Sequence, residues 1–332
     1  MQTGLNNALK TVLIGAVEST ETALKCLVER GTPPAALVTL PLEKAFRHSD
    51  FVDLRPLAEQ HGVKVIEAAN VNKPDILEQL HEVAPDYILV IGWSQILKEE
   101  LFAAAKEDLI GYHPAVIPEN RGRAVIPWTI LQRKRTAGAT LFWLDQGMDT
   151  GDILVQESFP IDEDETAYTL YYKQLDLLDK MLHDALCHIE AGDPPRIKQD
   201  HSQATYCAKR TKNDGLIDWS KPAEDVWTLI RAVTRPYPGA FTFDGDKRLV
   251  IWNAKLVGKA PYWGQPGQVQ AFTDEGVLIQ CGDGEHILVT EMQEDEDAPK
   301  HPQEILKMHA TLGIDVLKLF TQLQKLQEVK SE

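Results

Sequence analysis

The chain has 332 residues and a formal net charge of −16, with 34 Lys and Arg against 50 Asp and Glu. With 43% hydrophobic and 25% charged residues it reads as a folded globular chain of about two domains rather than a disordered one. The longest apolar runs, such as YILVIGW at 87–93, fall short of the roughly 20 residues that a membrane-spanning helix needs. From residue 200 onward 15 basic residues stand against 20 acidic ones, so that half is acidic too and nucleic acid is disfavoured as a partner.

At the N-terminus, MQTGLNNALKTVLIGAV carries one lysine and no export cleavage pattern, so a cytoplasmic location is expected. Cys26, Cys187, Cys207 and Cys281 have no CxxC spacing and the ten histidines do not cluster, so neither a disulfide framework nor a metal site is expected. TVLIGAV reads as a buried strand, and STETALKCLVERG as a helix with Ser19 as N-cap and Gly31 near its end. The turn between them, GAVEST, lacks GxGxxG, which argues against a dinucleotide site of the usual kind. AALVTL, DFVDLRPLAEQHG, VKVIEA, KPDILEQLHEVA and YILVIGW continue the alternation of strand and helix. That beat predicts a parallel sheet with helices on both faces.

VIPWTILQRKR reads as a helix, with Arg133, Lys134 and Arg135 as its solvated end, and GATLFWLD as a strand ending in the turn QGMDTGD. ILVQESFPI is a further strand, and the stretch from DEDETAYTL to CHIEAG is a long amphipathic helix with an acidic start that suits its dipole. GDPPRIKQDHSQATY then has no clear period and reads as a linker. Short strand-like runs between turns over 206–298 predict a small β-barrel or sandwich. The tail from EILKMHATLG onward is helical with leucines near heptad spacing, and is expected to pack on its own chain. The expected architecture is thus α/β: a Rossmann-like parallel-sheet domain (1–200), a smaller OB-like β-barrel domain (206–298) and a helical tail (299–332).

Two polar residues mark the ends of consecutive sheet segments: His113 after LIGY, and Asp149 after GATLFWLD. If both strands ran parallel, their C-terminal ends would meet at one edge, where open α/β sheets place ligands. A carboxylate beside an imidazole orients it and stabilises its protonated form, which is a catalytic pair in outline. Singly, a loop histidine and an aspartate beside glycine are both ordinary structural residues.

The stretch GYHPAVIPENRGRAVIPW through GATLFWLDQGMDTGDILVQ resembles the folate-dependent formyltransferase family in motif and spacing. The matching residues are His113-Pro114, the loop Ala115-Val116-Ile117-Pro118, Arg121-Gly122 and Asp149-Thr150-Gly151. AKRTKNDGLIDWSKPAEDVWTLIRAV and RPYPGAF resemble the family's C-terminal barrel domain, so the likeness covers roughly 10–295.

The resemblance implies an enzyme that moves the formyl group of N10-formyltetrahydrofolate to an amine without a metal. His113 and Asp149 are the implied catalytic residues, and Ile91, Gly92, Trp93, Ser94, Asp145 and Gly147 the implied folate-binding ones. Asn120, Arg121, Gly122 and Arg123 would meet a phosphate or sugar hydroxyls of the acceptor, since arginine forks suit phosphate; a solvated surface loop is the alternative. The expected acceptor is a nucleotide-linked amino sugar of surface-glycan synthesis, with RGRA pointing to that branch and a homodimer through the C-terminal part as the expected assembly. A formyltetrahydrofolate hydrolase, a methionyl-tRNA formyltransferase and a non-enzymatic folate-binding protein are the alternatives. One departure stands out: the family places an asparagine where this chain has Gly111. That exchange removes a donor to the developing oxyanion; a backbone N–H, a bound water or Ser94 could replace it, and glycine could make room for an unusual acceptor.

Overall fold

The computed structural model of the chain describes residues 9–329. It divides into two compact units, the first made of residues up to Thr129, Lys134–Glu163 and Thr169–Lys209, the second of Ile130–Arg133, Asp164–Tyr168 and the chain from Arg210 onward.

The first unit begins with β1 (Thr11–Ile14), α1 (Glu18–Glu29), β2 (Ala36–Thr39), α2 (Arg55–Gln60), β3 (Lys64–Glu67), α3 (Pro74–Val83), β4 (Tyr87–Val90), α4 (Glu99–Phe102) and β5 (Asp108–His113). It continues with β6 (Arg121–Gly122), α5 (Val125–Leu131, its last two residues counted with the second unit), β7 (Thr136–Trp143), β8 (Ile153–Pro160), α6 (Ala167–Glu190, its first two residues likewise) and β9 (Tyr206–Cys207). The main sheet has the order β3-β2-β1-β4-β5-β7-β8. Its first five strands pair in parallel. Side chains of a strand alternate between faces, and the two cores follow that alternation. Leu13, Leu37, Leu89 and Ile110 pack with Leu24 and Leu27 of α1 and Leu178 and Leu182 of α6. Val12, Ile14, Val38 and Ile88 pack on the other face with Ile76 and Leu80 of α3.

The expected parallel beat fails at the last two strands. β7 runs antiparallel to β5, with His113 opposite Thr140 and Ile110 opposite Trp143, and β8 runs antiparallel to β7. An apolar strand buried on both faces carries no mark of its direction, which is set by the connection before it.

Smaller differences have local causes. Helix α1 starts at Glu18, so Ser19 lies inside it rather than capping it. Thr20 Oγ1 instead accepts the Val17 N–H at 3.2 Å and donates to the Ile91 carbonyl at 2.6 Å, tying the helix start to the end of β4. Of the stretch read as a helix over 50–62, only Arg55–Gln60 is α-helical, opened by Pro56 in its first turn and closed by Gly62 at φ 68°. Residues 192–206 are no free linker. Ile197 exchanges backbone hydrogen bonds with Ile153, and β9 pairs in parallel with β6.

The second unit contains α7 (Ala223–Val233), β10 (Ala240–Asp244), β11 (Lys247–Gly258), β12 (Val269–Thr273), β13 (Gly276–Gln280), β14 (His286–Glu294) and α8 (Val316–Val329). Its strands form an antiparallel sheet of order β10-β11-β14-β13-β12. Helix α7 buries Val226, Ile230 and Val233 and packs on β11. In α8 it is the polar side that is tied down: Lys318 Nζ lies 3.1 Å from Asp246 Oδ1 in the β10–β11 turn. Val316, Leu317, Leu319, Phe320 and Leu323 stay exposed, contrary to the expected packing. The tail before them is helical only in the short turn Pro302–Glu304, yet it does pack on its own chain, with Leu306 and Leu312 buried and backbone hydrogen bonds from Val269 to Ala310 and from Leu312 to Gly267. Among the described residues no helix is long and apolar enough to cross a membrane, and no cluster of three metal-ligating side chains occurs.

Candidate active site

The sheet order places the next strand after β3 on the far side of β1, so the chain changes direction between β1 and β4. At such a switch point the loops leaving the carboxyl ends of the strands part and open a crevice. The loops after β2, β3 and β4 deliver Arg47 and His48, Asn70, and Trp93 and Ser94 to one cleft, joined by Arg123 after β6 and Lys209 after β9. The cleft has a volume of about 460 Å³, within the range of small-molecule sites. Cations line it, and no carboxylate does. The Trp93 indole N–H is buried and has no acceptor, and a buried donor left unpaired is costly unless a ligand or water meets it. His48 Nε2 lies 3.4 Å from Ser94 Oγ. Burial holds the His48 imidazole below its ordinary pKa, Arg123 and Arg47 push it the same way, and Asp50 opposes them.

His113 closes β5 and is 5% exposed. Its Nδ1 lies 3.7 Å from Asp149 Oδ2, so the predicted pair does meet. The route differs from the one expected. Because β7 is antiparallel, its end points away from the rim, and the turn after Trp143 doubles back to bring Asp149 to His113. Asp149 itself adopts φ 54°, a left-handed conformation that aspartate tolerates better than most residues. The carboxylate is held by the Gly122 N–H, which donates to Oδ2 at 2.7 Å. His113 Nε2 lies 2.8 Å from the Asn120 carbonyl. A carbonyl only accepts, so Nε2 carries the proton and Nδ1 faces the carboxylate.

Gly111 leaves no room beside this pair. A Cβ at that position would stand 2.7 Å from Leu144 Cδ2 and 3.1 Å from Phe142 Cε1. Leu144 packs there with Ile117, Phe142 and Ile153, so a leucine fills the space that the glycine was expected to open.

The remaining residues singled out from the sequence fall in several places. Trp93, Ser94 and Arg123 line the cleft. The Ile91 backbone is committed elsewhere, its N–H to the Ile14 carbonyl and its C=O to Thr20. Gly92 has φ 75°, and a side chain there would strike Val17 before α1 and Ser19 and Thr20 in its first turn. Asp145 Oδ1 accepts from the Gly147 N–H at 2.9 Å and from Thr150 Oγ1 at 2.6 Å, which shapes the turn that carries Asp149. Asn120 donates its N–H to Thr205 Oγ1 and gives its carbonyl to His113.

Arg121 is 1% exposed and lies away from the cleft lining. One terminal nitrogen donates to Gln199 Oε1 at 2.6 Å and sits 2.9 Å from His201 Nδ1. Gln199 in turn donates to the Asp149 and Gly151 carbonyls. The arginine therefore braces the turn that presents Asp149. Sequence reasoning missed Arg47, His48, Asn70, Gln95 and Lys209, which also line the cleft. Four of them share one signal, position, since Arg47, His48, Asn70 and Gln95 follow predicted strands on the side where ligands bind; Lys209 has none.

Comparison with known proteins adds to this geometry. The family model described as Formyl transferase matches residues 37–186, and Formyl transferase, C-terminal domain, matches 209–310. The chain is 36% identical over 281 residues to the methionyl-tRNA formyltransferase of Caldanaerobacter subterraneus subsp. tengcongensis, covering 83% of this chain and 89% of the relative. It is 31% identical over 290 residues to that of Ruminiclostridium cellulolyticum, covering 86% and 92%. In fold it is similar to the N-formyltransferase of Helicobacter canadensis, solved with folinic acid and dTDP-3-aminofucose. That TM-score is 0.65 at 22% identity, over 86% of this chain and all of the other.

Proposed function

The chain belongs to the formyl transferase family, and on that premise we propose that it carries, in the cytoplasm, the formyl group of N10-formyltetrahydrofolate to a primary amine. The observation that carries this reading is the meeting of His113 and Asp149 at the rim, 3.7 Å apart. Gly122, which holds Asp149, is followed in the chain by Arg123, which lines the cleft. The pterin's polar edge suits the cleft's neutral donors and acceptors, with the unpaired Trp93 N–H and the Asn70 and Ser94 side chains as its partners. The neutral amine attacks the formyl carbon, and the charge that builds on the formyl oxygen is met by the His113 Nε2–H once it turns from the Asn120 carbonyl to the substrate.

Methionyl-tRNA is the first acceptor to test, because the curated relatives reported above carry that name. An amino sugar on a nucleotide is the second reading, favoured by the net charge of −16. Both acceptors bring phosphate, and Arg47, Arg123 and Lys209 give the cleft a local positive lining within an acidic chain. The deciding experiment supplies N10-formyltetrahydrofolate with methionyl-tRNA, with nucleotide-linked amino sugars, and with no acceptor. Mass spectrometry of the acceptor and assay of formate then separate the cases. An N-formyl amide identifies the transferase and its acceptor, and formate without acceptor identifies a hydrolase. Tetrahydrofolate formed in none of the mixtures overturns the reading.

A further inference from the structure

Helix α8 turns one face to solvent. Asp315 opens the helix, its Oδ1 accepting the Lys318 N–H at 2.9 Å, and Lys318 Nζ reaches Asp246 Oδ1 in the β10–β11 turn. Val316, Leu317, Leu319, Phe320 and Leu323 are each between 47% and 80% exposed. At 3.6 residues per turn these five fall on one half of the helix, centred opposite Lys318. The match to the family's C-terminal domain ends at residue 310 and α8 lies beyond it, so the fold shared by the family does not require this apolar face.

Exposed side chains of this size offer on the order of 100 Å² each, so the face measures about 500 Å², at the upper end of what a monomer leaves in one patch. Two such faces laid together remove about 1,000 Å² from water, the size at which a pairing becomes specific. We propose that α8 is a dimerisation helix, which pairs in parallel with the α8 of a second copy of this chain across a two-fold axis.

Spacing and charge select that occupant. Val316, Leu319 and Leu323 follow the alternation of three and four residues that makes a heptad seam, and Leu326 continues it in the sequence. A seam of that spacing fits another helix of the same spacing, and a second copy supplies one, each seam residue meeting its own counterpart. Valine at the first seam position with leucine at the next favours two strands. The positions beside the seam are Phe320, Gln322 and Gln327, all uncharged. Two copies of a chain of net charge −16 therefore meet here without like charges across the seam, whereas a charged partner would find nothing on this face to recognise. The helix is already formed and tied down through Asp315 and Lys318, so pairing does not first have to order two short helices.

Sedimentation velocity on the full chain tests this without reference to formyl transfer. The wild type is expected to run as a dimer at about 100 μM and to shift toward monomer near about 1 μM, as a pairing of the smallest specific size does. Leu319→Glu combined with Leu323→Glu is expected to be monomeric throughout. Thr321→Glu, on the same helix but off the face, is expected to stay dimeric. Cross-linking decides the matter even where the double variant misfolds. It is done in a Cys187→Ser background, because Cys187 is exposed and the other three cysteines are buried. There Val316→Cys is expected to give a disulfide-linked dimer with oxidised glutathione, and Thr321→Cys is not. A wild type that stays monomeric over the whole range overturns the proposal, and its co-sedimentation with phosphatidylcholine vesicles would give the face to a membrane instead. A dimer that survives both glutamates, or that cross-links through 321 and not through 316, overturns the role of α8.

Discussion

Asp149 Oδ2 serves two partners, accepting the Gly122 N–H at 2.7 Å while facing His113 Nδ1 at 3.7 Å. One carboxylate thereby fixes the loop that carries Arg123 and the imidazole that closes β5. Asp149→Asn keeps the shape but removes the charge, and is expected to lower kcat by roughly 10²–10⁴-fold with little change in stability. Asp149→Ala leaves the Gly122 N–H without its acceptor and is expected to cost a further 1–3 kcal/mol or so. Steady-state kinetics and urea denaturation of the two variants separate the effects.

Gly111 and Leu144 are coupled by contact, since any Cβ at 111 would come within 2.7 Å of Leu144 Cδ2. Gly111→Asn, which restores the residue common in the family, is therefore expected to destabilise the protein by about 1–3 kcal/mol through overpacking. It is expected to lower activity rather than raise it. Adding Leu144→Ala should make the pair less destabilised than the sum of the two single changes. A thermal-denaturation cycle on the four proteins reads this directly, and strictly additive values would show that the contact is not the cause.

The comparison of sequence with structure has a physical pattern. Strands such as TVLI and YILV could be recognised because both of their faces are buried, and the turns that end them place His113 at a rim. The direction of β7 could not, since TAGATLFW would look the same run either way; its antiparallel pairing with β5 changed the path by which Asp149 arrives but not the meeting itself. Arg121 belongs to a motif that suggested phosphate contact, yet its burial depends on Gln199 and His201, about eighty residues away in the chain. His48 went unnoticed because FRHSD is a polar loop without a motif, and only the fold brings it beside Ser94 in the cleft.

Arg121 tests the difference between bracing and binding. Replacing it with methionine removes the donor to Gln199 Oε1, and leaving a buried acceptor unpaired costs about 1–3 kcal/mol. Gln199 also holds the Asp149 carbonyl, so kcat should fall as the turn loosens. The KM for a phosphate-bearing acceptor should barely move, because Arg121 does not line the cleft. A large rise in that KM with unchanged stability would return Arg121 to a binding role.

Arg123 should behave in the opposite way. It lines the cleft with Arg47 and Lys209, so Arg123→Ala is expected to raise the KM for a phosphate-bearing acceptor by about 10-fold, the value of one well-placed charge contact of about 1.4 kcal/mol. The wild-type KM should itself rise with salt, because attraction between partly solvated charges is screened over about 10 Å at 0.1 M, and the variant's should rise less steeply. A second readout is the His48 ring itself. Burial holds its pKa down and Arg123 adds to that, so Arg123→Ala should raise it, seen as an NMR titration of the ring moved to higher pH. An unmoved titration would show that the Arg123 charge does not act on His48.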